Sequence, residues 1–186
     1  LDSGAVDAAS GGLTFGDWMD MMAKEGYPIA DKSVYKNRVI GKDIVKVFAN
    51  KGVTVANLSK AQLAAIFTGK TKNWSEVGGP SIPIIVILGT KIPGTQNVFQ
   101  KQAMDGAAYL VGAMEGTTAQ DLKEKVKATA GAVCLGPMTL ADASVNVPAI
   151  PEIGRPITLI TKGAPGAGLQ KVIDFINGEG KQYIVK

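Results

Sequence analysis

Apolar and polar positions alternate along this chain in a way that predicts strands and helices in turn. Short β-branched apolar runs, typical of strands, are followed by segments whose apolar residues recur at helical spacing. Helices are predicted at 15–24, at 60–67, from Thr117 or Thr118 to Lys127, and at 166–177, with a last helical turn or two in 179–185. Strands are predicted at 5–9, as one or two segments within 39–48, and at 82–88, 132–135 and 157–161. This order predicts an α/β fold.

The segment 82–104 combines a predicted strand, a Gly/Pro loop and a helix. Its run of isoleucine, valine and leucine suits a strand covered on both faces, as in a parallel sheet. Pro93 and Gly94 mark a turn, and Thr95 is the predicted N-cap of the helix. Free N–H groups at such a helix start outline a small anion site. A plain structural turn explains the same residues equally well.

Composition narrows the classes of function. The 186 residues are 46% hydrophobic, enough for one large domain or two small lobes. A net charge of +4 favours anionic ligands, but the basic residues are scattered and only 6% of residues are aromatic, so no nucleic-acid partner is predicted. The chain has no histidine, which excludes a His-based catalytic triad. We predict no catalytic residues, no cofactor and no metal site.

Two single residues have competing interpretations. Cys134, in the apolar run AVCLG, is predicted to be a buried small side chain and not a nucleophile. Trp74, in the loop KTKNWSEVGGP at 70–80, is predicted to anchor that loop against the domain in preference to stacking on a ligand.

The ends of the sequence indicate a processed or truncated product. The chain begins LDSGAVDAAS, without an initiator Met, and has neither a signal peptide nor an apolar run of transmembrane length. The missing signal therefore says nothing about the compartment.

Several longer sequence segments resemble a known protein family. The string NLSKAQLAAIFTGKTKNWSEVGG at 57–79 closely resembles the helix and tryptophan loop of the phosphate-binding proteins of ABC transporters, the PstS-like family. In the same order, further phrases resemble other parts of that family: AVDAAS at 5–10, IPIIVILGTKIPGTQNVFQ at 82–100, GAVCLGPMTL at 131–140, RPITLITKGAP at 155–165 and VIDFINGEGKQYIV at 172–185. The resemblance covers nearly the whole chain.

The resemblance implies an α/β, two-lobed type II periplasmic binding protein-like fold with mixed sheets covered by helices. The first lobe would contain residues 1–38 and 155–186, the second 43–151, with hinge segments near 39–42 and 152–160. The family begins with a strand-loop-helix unit upstream of the point where this chain starts, so the first lobe is expected to be incomplete.

The resemblance also implies which residues would hold an anion. In the first lobe these are Ser10 and Gly11. In the second lobe they are Thr90, Lys91, Gly94, Thr95 and Gln96. The chain departs from the family motif GSGT, which is replaced here by Ile92-Pro93-Gly94-Thr95, and it has Thr90 and Lys91 where the family has an arginine. Gly11 stands where the family has Asp or Ser.

The implied function is that of an extracytoplasmic solute-binding protein, periplasmic or extracellular, that binds phosphate or a related oxyanion between two lobes. Its expected partner is an ABC transporter permease, or another protein chain that completes the first lobe, with no membrane span of its own. The alternative is a scaffold retained as a protein–protein interaction or assembly module with little or no anion binding. An enzyme is the weakest hypothesis, and a phosphatase assay is expected to show no turnover.

Overall fold

The structure, a computed structural model, describes residue 1 and residues 3–184. Within these residues the strands are β1 (Ala9–Gly11), β2 (Tyr35–Ala49), β3 (Ile85–Gly89), β4 (Met114–Gly116), β5 (Ala132–Pro137) and β6 (Gly154–Lys162). The α-helices are α1 (Phe15–Lys24), α2 (Lys60–Phe67), α3 (Pro93–Ala103), α4 (Ala119–Ala128) and α5 (Ala167–Asn177). Short 3₁₀ turns lie at Lys32–Val34, Trp74–Val77, Met138–Leu140 and Glu179–Tyr183. No helix of this described part is long and apolar enough to cross a membrane.

The chain divides into two compact units. Unit 1 consists of Leu1–Asp43 and Arg155–Lys186, and unit 2 of Ile44–Gly154. The chain therefore passes from one unit to the other twice, once within β2 and once at the start of β6. The predicted lobe limits and hinge segments remain predictions, because no motion has been observed.

Unit 1 contains a three-stranded arrangement in the order β1-β6-β2. β1 and β6 are antiparallel, with Ala9 opposite Ile160 and Gly11 opposite Thr158. Few large side chains are fully enclosed in this unit. The buried apolar residues of its described part are Met19, Tyr35, Leu159, Ile160 and Ile173.

The predicted strand at 5–9 is wrong, since β1 begins only at Ala9. Val6 is 52% exposed, so its side chain is not enclosed in the core as that of a buried strand would be. Ser10 and Gly11, predicted to form a turn, are instead paired with β6. Gly11 suits this position because a Cβ there would lie 2.8 Å from Trp18 Cζ2 of α1.

Unit 2 contains strands in the order β2-β5-β3-β4. β5 is antiparallel to β2 and parallel to β3, which is in turn parallel to β4. Alternate side chains of these strands enter two different apolar clusters. Val45, Val47 and Ala49 of β2 belong to the larger cluster, whereas Phe48 belongs to the smaller one. Both faces of this part of the sheet are therefore buried, as the apolar runs predicted.

Local capping explains why the helices of this chain were predictable. In α1, Thr14 Oγ1 accepts a hydrogen bond from Asp17 N at 3.1 Å, and the Asp17 carboxylate accepts one from Thr14 N. In α2, Ser59 and Gln62 make the same reciprocal pair. Thr118 caps α4. Each cap satisfies N–H groups that the helix itself leaves unbonded, so the predicted starts of these helices are confirmed.

Several predicted boundaries are wrong for physical reasons. β3 starts at Ile85 and not at Ile82, because 82–84 bonds to the tryptophan loop through Trp74 N to Ile82 O (3.0 Å) and Ile84 N to Lys72 O (2.9 Å). β4 was not predicted, since its three residues, MEG, include no β-branched side chain. The last predicted helical segment is a 3₁₀ turn over Glu179–Tyr183, and residue 185 lies outside the described residues.

Trp74 anchors its loop, as predicted. The side chain is fully buried in the larger cluster, and its indole Nε1–H donates to the backbone oxygen of Gly131 at 2.8 Å. A ligand-stacking role is excluded by this burial.

Cys134 is buried on β5, as predicted, and burial raises the pKa of its thiol to about 12. We expect negligible reaction of the native protein with Ellman's reagent at pH 8, because the reactive thiolate is neither formed nor accessible. One thiol per chain should react rapidly once the protein is unfolded in guanidinium. Fast labelling of the native protein would contradict this placement.

Candidate functional site

The candidate site in unit 2 is the connection from β3 to α3. β3 ends at Gly89, and the first helical residue of α3 is Pro93. Thr95 was predicted as the N-cap, which is wrong: the N-cap is Ile92, which makes no side-chain capping bond. Proline is favoured at the first helical position because its fixed φ suits the helix and its missing N–H would have no partner there.

The start of α3 leaves two backbone donors in its first turn. Pro93 has no N–H group, and Gln96 N donates to Ile92 O at 3.3 Å. The N–H groups of Gly94 and Thr95 belong to the first turn, where the helix itself supplies no acceptor, and the N-cap residue Ile92 makes no side-chain capping bond. The first turn also contains no acidic residue. Two backbone N–H groups and the positive end of the helix dipole therefore favour a negatively charged hydrogen-bond acceptor from outside the helix.

Gln96 has a structural use that sequence reasoning missed. Its Oε1 accepts from Gly89 N at 2.9 Å, and its Nε2 donates to Gly89 O at 3.0 Å. A Cβ at Gly89 would collide with the side chain of Ile92, so a glycine lets Ile92 pack closely on the end of β3. The Gln96 amide fixes the end of β3 against α3, and these two bonds leave at most the second N–H of Nε2 for contact with an anion.

Thr90 and Lys91 lie in the loop between β3 and α3. Thr90 bonds to Gly116 O through both its N–H group (2.8 Å) and its hydroxyl (3.2 Å). Lys91 is an exposed residue of this loop. Beside this loop is a pocket of about 230 Å³, lined by Leu88, Gly89, Thr90, Leu110, Gly112, Ala113 and Glu115.

Three aromatic residues, Tyr109, Phe67 and Phe99, pack together at α3. The Tyr109 hydroxyl donates to Gln96 O at 2.8 Å, and burial raises the pKa of Tyr109 above its ordinary value, so the hydroxyl stays protonated at physiological pH. The Tyr109 ring lies edge-on to Phe67, which also packs against Phe99 of α3. These contacts hold the first part of α3 against the core of unit 2.

The two predicted residues of unit 1, Ser10 and Gly11, lie in β1, as described above. Next to them, a Cβ at Gly12 would collide with the Arg155 guanidinium. Arg155 Nε and Nη2 each lie 3.1 Å from Asp43 Oδ2. Sequence reasoning missed this ion pair, since 112 residues separate its partners.

The structure therefore brings together five of the seven predicted residues, all in unit 2: Thr90, Lys91, Gly94, Thr95 and Gln96. Ser10 and Gly11 are neighbours in unit 1. None of the seven has been shown to contact an anion, and their roles remain predictions. Among residues 1 and 3–184, no group of three or more cysteines and carboxylates is placed to hold a metal ion.

Comparison with known proteins identifies the family. A family model described as the PBP superfamily domain matches residues 19–179. This chain belongs to the PBP superfamily. The phosphate-binding protein PstS of Bacillus subtilis (strain 168) is 32% identical to it over 133 residues, which cover 70% of this chain and 43% of PstS. The match thus spans less than half the length of that relative.

Solved structures of similar fold include proteins that are described as phosphate-binding or phosphate-transporting. A putative phosphate ABC transporter substrate-binding protein with bound phosphate from Clostridium perfringens aligns over 96% of this chain and 75% of its own, with a TM-score of 0.71 and 21% identity. An ABC-type phosphate transport receptor from Vibrio cholerae aligns over 98% and 78%, with a TM-score of 0.68 and 19% identity. The predicted fold class and PstS-like relationship are confirmed. The relatives are binding proteins and a transport receptor, not enzymes, as predicted.

Proposed function

We propose that this protein is an extracytoplasmic solute-binding protein, periplasmic or extracellular, that binds phosphate or a related oxyanion. The observation that carries the proposal is the start of α3, where Gly94 and Thr95 present uncapped N–H groups without an acidic neighbour in the first turn. Its support from outside the chain is the 32% identity to a phosphate-binding protein.

The donors at this helix start define how an oxyanion would be held. Two backbone N–H groups and the Thr95 hydroxyl would bond its oxygens, while the helix dipole and Lys91 would compensate its charge. Pro93 removes one potential donor, and a lysine ammonium cannot form the two-pronged contact of an arginine. We therefore expect a weaker site than one with a complete donor set. Ser10 and Gly11 are the proposed contacts from unit 1.

Isothermal titration calorimetry with phosphate, sulfate, molybdate and tungstate tests the proposal. We expect saturable heat with phosphate or with one of the three related anions. The absence of heat with all four at millimolar concentrations would contradict it. The alternative of a purely structural assembly module gains no support from the relatives, which are named as binding proteins.

A substitution at the helix start gives a sharper test. Thr95→Asp places a carboxylate beside the free N–H groups, where it competes with the anion and repels it. We expect the dissociation constant for phosphate to rise by about tenfold or more, because charge–dipole contacts at a helix end contribute up to about 2 kcal/mol. Calorimetry measures the loss, and thermal unfolding should show that the fold is kept.

Thr95→Asn is the matched control for Thr95→Asp, since it has the same size without the charge. The asparagine variant should lose far less affinity than the aspartate variant. Equal affinities in both variants would show that the anion does not contact the start of α3.

The proposed partner is an ABC transporter permease, or another polypeptide that completes unit 1. Light scattering after size exclusion addresses the second possibility. A well-folded monomer at all concentrations would argue against self-association as the route to completion.

A further inference from the structure

The C-terminal turn of α3 carries a second amide clamp. Gln102 Nε2 donates to Gly154 O at 2.8 Å, and Gln102 Oε1 accepts from Gly154 N at 2.9 Å. One side chain thus satisfies both backbone polar groups of a residue 52 positions away. Gly154 is the last residue of unit 2 and the first of β6. The two hydrogen bonds of Gln102 therefore attach α3 to the backbone at the point where the chain leaves unit 2.

The neighbours of Gly154 are held by β2. Ile153 O accepts from Val45 N at 2.9 Å, and Arg155 donates to the carboxylate of Asp43. We call residues 153–155 the crossing segment. Its first and last residues bond to β2, and its middle residue bonds to α3. Gln102 is accordingly a direct hydrogen-bonded link from α3 to this segment.

The opposite end of α3 is the proposed anion contact. There Gln96 clamps Gly89, as described above. Phe99, between the two clamps, and Ala103, directly after the second, are buried in the larger cluster. A helix of 11 residues is about 16 Å long, and one packed this closely moves as a body. A displacement at its start would reach Gln102 within the same rigid element.

We propose that Gln102 is a positioning residue that couples anion contact at the start of α3 to the crossing segment. The anion in this statement rests on the proposed function, whereas the link from Gln102 to Gly154 does not. When the N–H groups of Gly94 and Thr95 donate hydrogen bonds to an oxyanion, the first turn of α3 shifts toward it. Gln102 passes the resulting shift to the backbone of Gly154, and thereby to the residue that pairs with Asp43.

The test compares Gln102→Ala with Gln100→Ala. Gln100 is on the same helix with the same side chain, but its Nε2 donates locally, to Ala107 O at 3.0 Å. Backbone amide hydrogen exchange is followed by NMR with and without inorganic phosphate. In the wild type and in Gln100→Ala, phosphate should slow exchange both at Gly94 and Thr95 and at Gly154 and Arg155. In Gln102→Ala the first pair should still respond and the second pair should not.

Loss of a merely structural bond would give a different result. It would speed exchange at Gly154 with or without phosphate, yet leave the phosphate-dependent change at Arg155 intact. That result, or equal behaviour of the two alanine variants, would overturn the proposal. Gln102→Glu covers the case in which Gln102→Ala does not fold. Its carboxylate still accepts from Gly154 N but cannot donate to Gly154 O, and it should show a reduced response at the crossing segment. A full response in Gln102→Glu would also overturn the proposal.

Failure of the proposed function is distinguishable from failure of this inference. If the wild type gives no response to phosphate anywhere, the function proposed above is wrong. The coupling is then decided by the ligand-free amide spectra. Gln102→Ala should shift the resonances of Gly89, Gly94 and Thr95, whereas Gln100→Ala should shift mainly those around Ala107. Unshifted resonances at the helix start in Gln102→Ala would refute the coupling.

Discussion

Trp74→Ala is expected to lower the free energy of unfolding by about 3–5 kcal/mol, the usual cost of removing a large buried aromatic side chain. Trp74 is 0% exposed, so the substitution leaves a cavity in the larger apolar cluster. It also removes the indole donor that bonds Gly131 O across 57 residues of chain. Urea denaturation followed by circular dichroism measures the change.

Trp74→Phe separates the two contributions. It keeps much of the apolar contact and removes the donor, although Gly131 O still accepts from Ile85 N at 3.1 Å. We expect a loss of about 1–3 kcal/mol, which combines the lost hydrogen bond with the volume that the smaller ring leaves empty. A loss below 1 kcal/mol for the alanine variant would show that this loop does not need its anchor.

Gly131→Ala is expected to cost more than about 3 kcal/mol, at the severe end for single substitutions. Gly131 has a φ of +72°, a region that residues with a Cβ enter only with strain. In addition, the new methyl group would collide with the backbone oxygen of Pro83, which cannot rotate away as a side chain can. The strands on either side, β3 and β5, would have to move apart.

Gly78→Ala is the matched control for Gly131→Ala. Gly78 has a φ of +84°, but no atom lies within 4 Å of the position that its Cβ would occupy. Only the backbone strain applies there, so the expected cost is about 1–2 kcal/mol. Similar losses for the two variants, measured by the same urea titration, would indicate that Gly131 is retained for its φ alone.

Features determined by neighbouring residues were predictable from the sequence. Ser59 with Gln62, and Thr14 with Asp17, are three residues apart, and their reciprocal bonds form as soon as the helix does. Burial of Cys134 was predicted from the apolar run around it, and burial of Trp74 from the tendency of a large aromatic side chain to anchor its loop against the domain. Periodicity predicted an α/β fold, and the resemblance to PstS-like proteins added the type II periplasmic binding protein-like architecture.

Features that join distant residues were not predictable. The bonds from Gln102 to Gly154, and from Asn146 to the carbonyls of Val53 and Val55, depend on where the fold places an amide that looks like any exposed polar residue in sequence. Pairing of Ser10 with β6 likewise depends on a strand almost 150 positions later.

The candidate site contains features that were predictable from the sequence and features that were not. A strand, a loop and a helix in this order were predicted correctly from Pro93, Gly94 and the apolar run before them, but the helix starts at Pro93 and not after Thr95. The wrong N-cap follows from the preference for threonine at that position, which here yields to proline at the first helical position. The engagement of Gln96 with Gly89 could be seen only in three dimensions.

The division of β2 between two apolar clusters constrains how the length of this strand can change in related sequences. Val47 and Phe48 point to opposite faces, and space for the Phe48 ring exists because residue 136 is a glycine, whose Cβ would lie 2.7 Å from Phe48 Cε2. Adding one residue to β2 would exchange the two faces and direct the ring away from this space. Adding two would restore the original alternation. Tolerated insertions and deletions before Phe48 should therefore come in even numbers, or be absorbed by a bulge.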